Sequence, residues 1–218
     1  MDKWKIAKHI DHTDLRATAT WEDIQKLCCE ALKYKTASVC IPPFYVKIAK
    51  MKYPELTICT VVGFPLGYQT TGCKVFEAEE AIQNGADEID MVIHSGKVKN
   101  KDYSYIADEI GKMREVCKNK VLKVIVETCY LDENEIRELC ICVSQAKADY
   151  IKTSTGFGTR GASINDIRLF KKYLSSNIKI KASGGIRTKE QMQEYIHEGC
   201  ERLGSSLGIS ALFEKESN

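Results

Sequence analysis

Eight short runs rich in β-branched residues recur along the 218-residue chain, and each is followed by a longer stretch with apolar residues at helical spacing. The runs are His9 to Leu15, Ala37 to Ile41, Leu56 to Gly63, Asp87 to Ile93, Leu122 to Thr128, Asp149 to Ser154, Ile178 to Ser183 and Glu201 to Ser206. Parallel strands need a crossover of a dozen or more residues, so strand and helix in strict alternation predict a parallel sheet under a helical layer. Stripes such as Ile24, Leu27, Cys28, Ala31 and Ile106, Ile110, Met113, Cys117 supply the faces that pack on it. Helix starts are marked at Thr20, Asp132 and Ser163, where a side-chain oxygen precedes a carboxylate by three residues. Eight such units predict an α/β protein with a single (β/α)₈ barrel spanning residues 1–218, at the short end of that fold's size range. An open doubly wound sheet is the alternative. It lacks a G-x-G-x-x-G string after the first strand, and the string at Gly156 to Gly161 follows the sixth run without an acidic residue at a strand end about 20 residues on. That string reads as a loop of a phosphate-sugar site.

Charge narrows the partners. The 32 basic and 30 acidic residues are interspersed, which gives no footprint for nucleic acid or an anionic membrane. The run Lys97 to Lys101 reads as a solvated loop. Neither a signal peptide nor a membrane span is expected from the N-terminal sequence, so the reading is cytoplasmic. Cysteines such as Cys28, Cys29, Cys40, Cys59, Cys129, Cys140 and Cys142 sit in apolar periodic segments and read as buried thiols. With no Cys-x-x-Cys or His-x₃-His, no metal and no cofactor are expected. A homodimer is compatible with all this, since an interface looks like any apolar helix face.

In a barrel the reactive groups gather at the C-terminal strand ends. Lys152 lies in Tyr150-Ile151-Lys152-Thr153-Ser154, Lys181 in Ile178 to Ser183, and Asp90 in Glu88-Ile89-Asp90-Met91-Val92. Lysine is rare inside an apolar strand because burying its ammonium costs several kcal/mol. Alternation along the strands sends Lys152, Ser154, Lys179, Lys181 and Ser183 into the lumen if the isoleucines face the helices. An ordinary lysine, with a pKa of about 10.4, is protonated at neutral pH. Desolvation and a second ammonium both favour the neutral, nucleophilic amine, so two close lysines read as a nucleophile, Lys152, and its electrostatic activator, Lys181. Asp90 suits the transfer of protons. An equal reading is a buried Lys152–Asp90 ion pair that merely holds the barrel. Gly184-Gly185 after the seventh run and Gly204 to Gly208 after the eighth stand where barrels bind phosphate. His12 and His94 read as hydrogen-bonded or substrate-contacting residues, and Cys40 as a thiol that could face the lumen but is inert.

Taken together, Ile10-Asp11-His12-Thr13, Val62 to Gly67, Ala86 to Ile93, Val126-Glu127-Thr128, Tyr150 to Gly158 and Lys181 to Thr188 resemble the deoxyribose-phosphate aldolase family in order and spacing, from about Ile10 to Gly208. The resemblance implies reversible, metal-independent cleavage of a small phosphorylated sugar, 2-deoxy-D-ribose 5-phosphate, to acetaldehyde and D-glyceraldehyde 3-phosphate. It implies an imine on Lys152, tuned by Lys181, with Asp90 shuttling protons. It also implies sugar contacts from Asp11, Thr13 and Thr155, and phosphate contacts from Gly156, Gly184, Gly185, Ser205 and Ser206. Arg16 stands where the family commonly has lysine and His94 where it has asparagine, and the tail after Phe213 lacks the terminal tyrosine of some longer members. A barrel lyase acting on a ketose phosphate by the same imine chemistry, and a catalytically inert phosphosugar-binding protein, are the rival readings.

Overall fold

The computed structural model describes residues 1–213; the tail past Phe213, with its expected lack of a tyrosine, lies outside the described residues. In chain order the elements are α1 (Lys3–Ala7), β1 (Ile10–Thr13), α2 (Trp21–Tyr34), β2 (Ser38–Ile41), α3 (Val46–Lys52), β3 (Ile58–Val62), α4 (Thr71–Gln83), β4 (Glu88–Val92), α5 (Ser95–Lys99), α6 (Tyr103–Val116), β5 (Val121–Ile125), α7 (Glu133–Gln145), β6 (Tyr150–Lys152), α8 (Ile164–Tyr173), β7 (Lys179–Ser183), α9 (Lys189–Glu198), β8 (Arg202–Ser205) and α10 (Gly208–Phe213). All neighbouring strands are parallel, and β8 pairs with β1 through Ile10 opposite Leu203, which closes the barrel. The expected fold is the one found.

Strand residues alternate between two environments. Ile89 and Met91 of β4 join the apolar layer beneath the helices, while Asp90 between them turns to the lumen. Thr20, Asp132 and Ser163 each form a capping box with the acidic residue three positions on, as read from the sequence. Four expectations need correction. Lys97 to Lys99 belong to α5 rather than a loop, because His94 caps that turn and Lys97 and Lys99 pair with Asp102 and Glu135. Lys179 lies at the opening of β7, exposed beside Glu201, too early on the strand to face the lumen. Cys29 is exposed on α2, one position off the buried stripe of that helix. The fifth strand stops at Ile125 instead of Thr128, since Glu127 adopts a left-handed backbone and a 3-10 turn follows. Among the described residues no helix is long and apolar enough to cross a membrane.

The exit of β3 is fixed from outside the barrel by a fully buried ion pair. Lys74 on α4 donates to Glu109 on α6 at 2.8 Å, and neither side chain is exposed. Burial pushes the Lys74 amine down and the Glu109 carboxyl up, each against the pull of its partner. The Lys74 stem lies directly under Gly63, where a Cβ would come within 2.9 Å of it, and Gly63 itself turns at φ 63°. The Gly63 N–H donates to Glu77 at 2.8 Å, so α4 grips the turn that leaves β3. Removing one partner strands a buried charge, whereas replacing both leaves an apolar contact. Glu109→Ala should therefore cost about 3–5 kcal/mol in denaturant unfolding, and Lys74→Met combined with Glu109→Leu should recover most of that loss.

Candidate active site

The lumen of this barrel is filled with charge where aliphatic side chains would be usual. Lys152 at the end of β6 donates to Asp90 Oδ2 at 2.7 Å, and Lys181 on β7 donates to the same oxygen at 2.7 Å. The two amines are thus no further apart than twice that distance, with one carboxylate oxygen between them. Asp90 Oδ1 is taken from the other side, by Lys123 of β5 at 2.8 Å and by the Cys59 thiol at 3.2 Å. Lys123 also reaches Glu88 at 2.6 Å. Lys181 makes a second, very short hydrogen bond to Asp11 of β1, whose other oxygen receives Ser38 and Arg202. Arg202 returns to Glu88 at 3.0 Å and closes the ring. Strand register produces this arrangement: Asp90 lies opposite Lys123, Lys152 opposite Lys181, and Lys181 opposite Arg202.

Apart from Arg202, which is partly exposed, the charged side chains concerned are almost completely buried. Burial alone would lift the Asp90 carboxyl, but the ammoniums of Lys123, Lys152 and Lys181 hold it well below the ordinary carboxylate range. The same contest, burial against Lys181, Lys123 and Arg202, holds Asp11 below that range. Burial opposes the charge on Lys181 and Lys123 too, yet the facing carboxylates raise both amines, so these two stay ammoniums. Counted as ions, the cluster sets four cations, Lys123, Lys152, Lys181 and Arg202, against three carboxylates, Asp11, Glu88 and Asp90. One positive charge is in excess. A hydrogen bond from Cys59, assisted by the Lys181 and Lys152 ammoniums, draws the neighbouring Cys40 thiol below its usual value against the effect of burial.

Above the ring lies a cavity of about 730 Å³. Lys152 is at its wall with Thr13, Thr155, Gly156, Gly184, Gly185, Ser205 and Ser206, so the structure gathers nearly every residue read from the sequence as substrate- or phosphate-contacting. Asp11 and Asp90 do not line this cavity; they lie beneath it, in the ring with the amines. Ser205 spends its hydroxyl proton on the Ile186 carbonyl at 2.7 Å, whereas Ser206 is exposed. Gly184 and Gly185 turn at φ 83° and 76°, a conformation open to glycine at little cost, and a Cβ on Gly185 would meet nothing within 4 Å. His12 bonds Glu30 on α2 at 2.8 Å, and His94 caps α5, which gives both a structural partner.

Sequence reasoning missed Lys123, Glu88, Arg202 and Cys59. Lys123 carried the same signal as the other two lysines, an amine inside Val121-Leu122-Lys123-Val124-Ile125. Arg202 and Glu88 open their strands, where a charged residue looks solvent-bound until the register is known. The register also brings together thiol and carboxylate groups that spacing could not reveal, Cys40 with Cys59 and Asp90, and Asp11 with Cys59 and Glu88, with ligand atoms within 4.8 Å of one another. Their carboxylates already answer to four basic side chains, so a metal cation placed there would add to an excess of positive charge, and the donor set does not fit one.

Similarity to known proteins extends along the chain. The family model for the DeoC/LacD family aldolase matches residues 5–212. The deoxyribose-phosphate aldolase of Clostridium botulinum (strain Eklund 17B / Type B) is 51% identical over 218 residues, covering 100% of this chain and 99% of that protein. The enzyme of the same name from Clostridioides difficile (strain 630) is 54% identical over 202 residues, 92% of each chain. Among solved structures, the deoxyribose phosphate aldolase of Aeropyrum pernix, described as a unique tetramer, superposes with a TM-score of 0.90 at 28% identity over 97% of this chain and 91% of its own. A lysine-centred charge ring inside a closed barrel, and relatives of this similarity across its whole length, make the chain a member of the DeoC/LacD family of aldolases.

Proposed function

We propose that the chain catalyses the reversible cleavage of 2-deoxy-D-ribose 5-phosphate to D-glyceraldehyde 3-phosphate and acetaldehyde through an imine on Lys152, as a cytoplasmic step in deoxyribonucleoside breakdown. The observation that carries this reading is one carboxylate oxygen, Asp90 Oδ2, shared at 2.7 Å by Lys152 and Lys181 beneath a cavity rimmed by glycine turns. The relatives named above act on a substrate of this kind. The whole chain serves as one catalytic domain, since the ring draws on residues from Asp11 to Arg202.

The geometry gives each residue a task. Releasing one proton from the cluster leaves three cations facing three carboxylates, and Lys152 is the cation that borders the cavity. Its amine attacks the substrate aldehyde carbon, and its proton crosses to Asp90 Oδ2. An acid as strong as buried Asp90 does not keep that proton and passes it to the carbinolamine oxygen; a second proton, taken back from solvent to replace the one first released, lets that hydroxyl leave as water. The resulting iminium restores the excess charge. Transfer of the electrons of the C2–C3 bond into the iminium, with loss of the C3 hydroxyl proton, gives a neutral enamine and the aldehyde of glyceraldehyde 3-phosphate. Protonation of the enamine carbon and hydrolysis then release acetaldehyde and return Lys152. Lys181, anchored by Asp11, keeps its charge throughout and disfavours each cationic form of its neighbour. Thr13 and Thr155 face the sugar, and Gly156, Gly184, Gly185, Ser205 and Ser206 cradle the phosphate with backbone N–H groups and the free Ser206 hydroxyl. The chain acts as a homodimer; Phe44 just before α3, Ile48 and Met51 on α3 and Phe76 on α4 are exposed apolar side chains that such a dimer would cover.

Supplied with deoxyribose 5-phosphate and a panel of ketose phosphates, the enzyme should cleave the former. Turnover confined to ketoses would favour the rival lyase, and binding without turnover the inert sugar-binding protein. Lys152→Leu should lower cleavage by several orders of magnitude while denaturant stability holds or rises, because the substitution removes the excess buried charge. Activity near that of the wild type would contradict the assignment. Lys181→Leu removes a positive neighbour and so favours the ammonium form of the nucleophile; its rate profile should move to higher pH by about one unit or more. An unshifted profile would count against Lys181 as activator.

A further inference from the structure

Among the described residues four non-glycine residues hold a left-handed backbone, and three of them, Lys35, Lys101 and Lys147, are exposed. The fourth is Glu127, at φ 54° and ψ 67° two residues past β5, and it is only 4% exposed. L-residues adopt this conformation reluctantly, and a buried carboxylate needs partners. Both oddities are accounted for by what Glu127 grips. Its Oε2 accepts the backbone N–H of Thr155 at 3.1 Å and, through a very short bond, the hydroxyl of the same residue. The Thr155 hydroxyl oxygen accepts in turn from the Phe157 N–H at 3.0 Å. The Cys129 thiol donates to Oε1 at 3.7 Å. On either side the backbone is tied as well, Val126 N–H to the Lys152 carbonyl at 3.1 Å and Thr128 N–H to that of Thr153 at 2.9 Å.

The segment from Thr153 to Phe157 has neither helix nor strand, although it connects Lys152 to Gly156. Its shape therefore depends on these cross-links. Further on, Gly161 rests against Gly184 so closely that an added Cβ would lie 2.1 Å from the Gly184 carbonyl oxygen, which joins the turn to the next glycine loop of the cavity. We propose that Glu127 is a positioning residue whose carboxylate shapes the Thr155–Phe157 turn and, through it, the phosphate-facing wall of the cavity. It acts through Thr155 and touches no reacting atom. This inference rests on the phosphosugar reading above.

Glu127→Gln keeps the size of the side chain and removes its charge, which weakens the bonds to Thr155. The expected result is a KM for deoxyribose 5-phosphate and an inhibition constant for inorganic phosphate each raised about tenfold, with kcat within about threefold of wild type. Hydrogen exchange at the Thr155 and Phe157 amides should quicken, while the Tm of the protein stays close to that of the wild type. Should this variant fail to fold, Glu127→Asp, which retains charge but cannot span the gap, should show the same split. Phosphate inhibition and KM within twofold of wild type would overturn the inference, as would a kcat that falls as far as KM rises, together with a lowered Tm. A wild-type enzyme that leaves deoxyribose 5-phosphate uncleaved would instead sink the substrate reading, so the two failures are distinct.

Discussion

Four basic side chains and three carboxylates share the dry interior of this barrel, and the imbalance of one charge governs what the cluster can do. A low-dielectric site penalises uncompensated charge far more than water does. The same penalty acts twice in the proposed reaction. It favours loss of a proton from the amine that borders the cavity, and it favours flow of bonding electrons into the iminium formed there, since each event returns the cluster to balance. Nucleophile activation and electron withdrawal thus have one electrostatic origin. Lys123 and Arg202, which do not line the cavity above the ring, contribute by keeping Asp90 and Asp11 ionised.

Strand register is what turns the sequence into this ring. Asp90 can split its two oxygens between the reactive amines and the floor only because Lys123 lies opposite it on β5, with Cys59 on the far side. Lys181 is held between Asp11 and Asp90 across the barrel axis. The buried Lys74–Glu109 pair and the Glu127 carboxylate then secure the loops that leave β3 and β6, so the rigid interior extends to the mouth.

Much of this was legible beforehand, for identifiable reasons. Strict alternation of elements calls for a parallel sheet, eight units without a glycine string after the first strand favour its closure, and capping boxes at Thr20, Asp132 and Ser163 carry their own local chemistry, so these needed no tertiary information. Lys152 and Lys181 were visible because an amine inside an apolar strand has a cost that demands explanation. Lys123 met that criterion and was overlooked, while Arg202 and Glu88 could not be recognised, since a charge at a strand opening looks solvated until its cross-barrel partners are placed. The assignment of Lys179 to the lumen failed for the complementary reason: alternation tells which face a residue takes but not whether the barrel wall extends that far. The left-handed turn at Glu127 left no local mark either, as its cause lies across the sheet at Thr155.

The central claim is that the amine of Lys152, alone among the buried amines, is free to capture an aldehyde. Incubation with acetaldehyde and borohydride, followed by peptide mapping in a mass spectrometer, tests it most directly. The account predicts a single ethyl group, on Lys152, with Lys123 and Lys181 unmodified. A reduced adduct on Lys181 or Lys123, or none on Lys152 while the enzyme turns over, would contradict it.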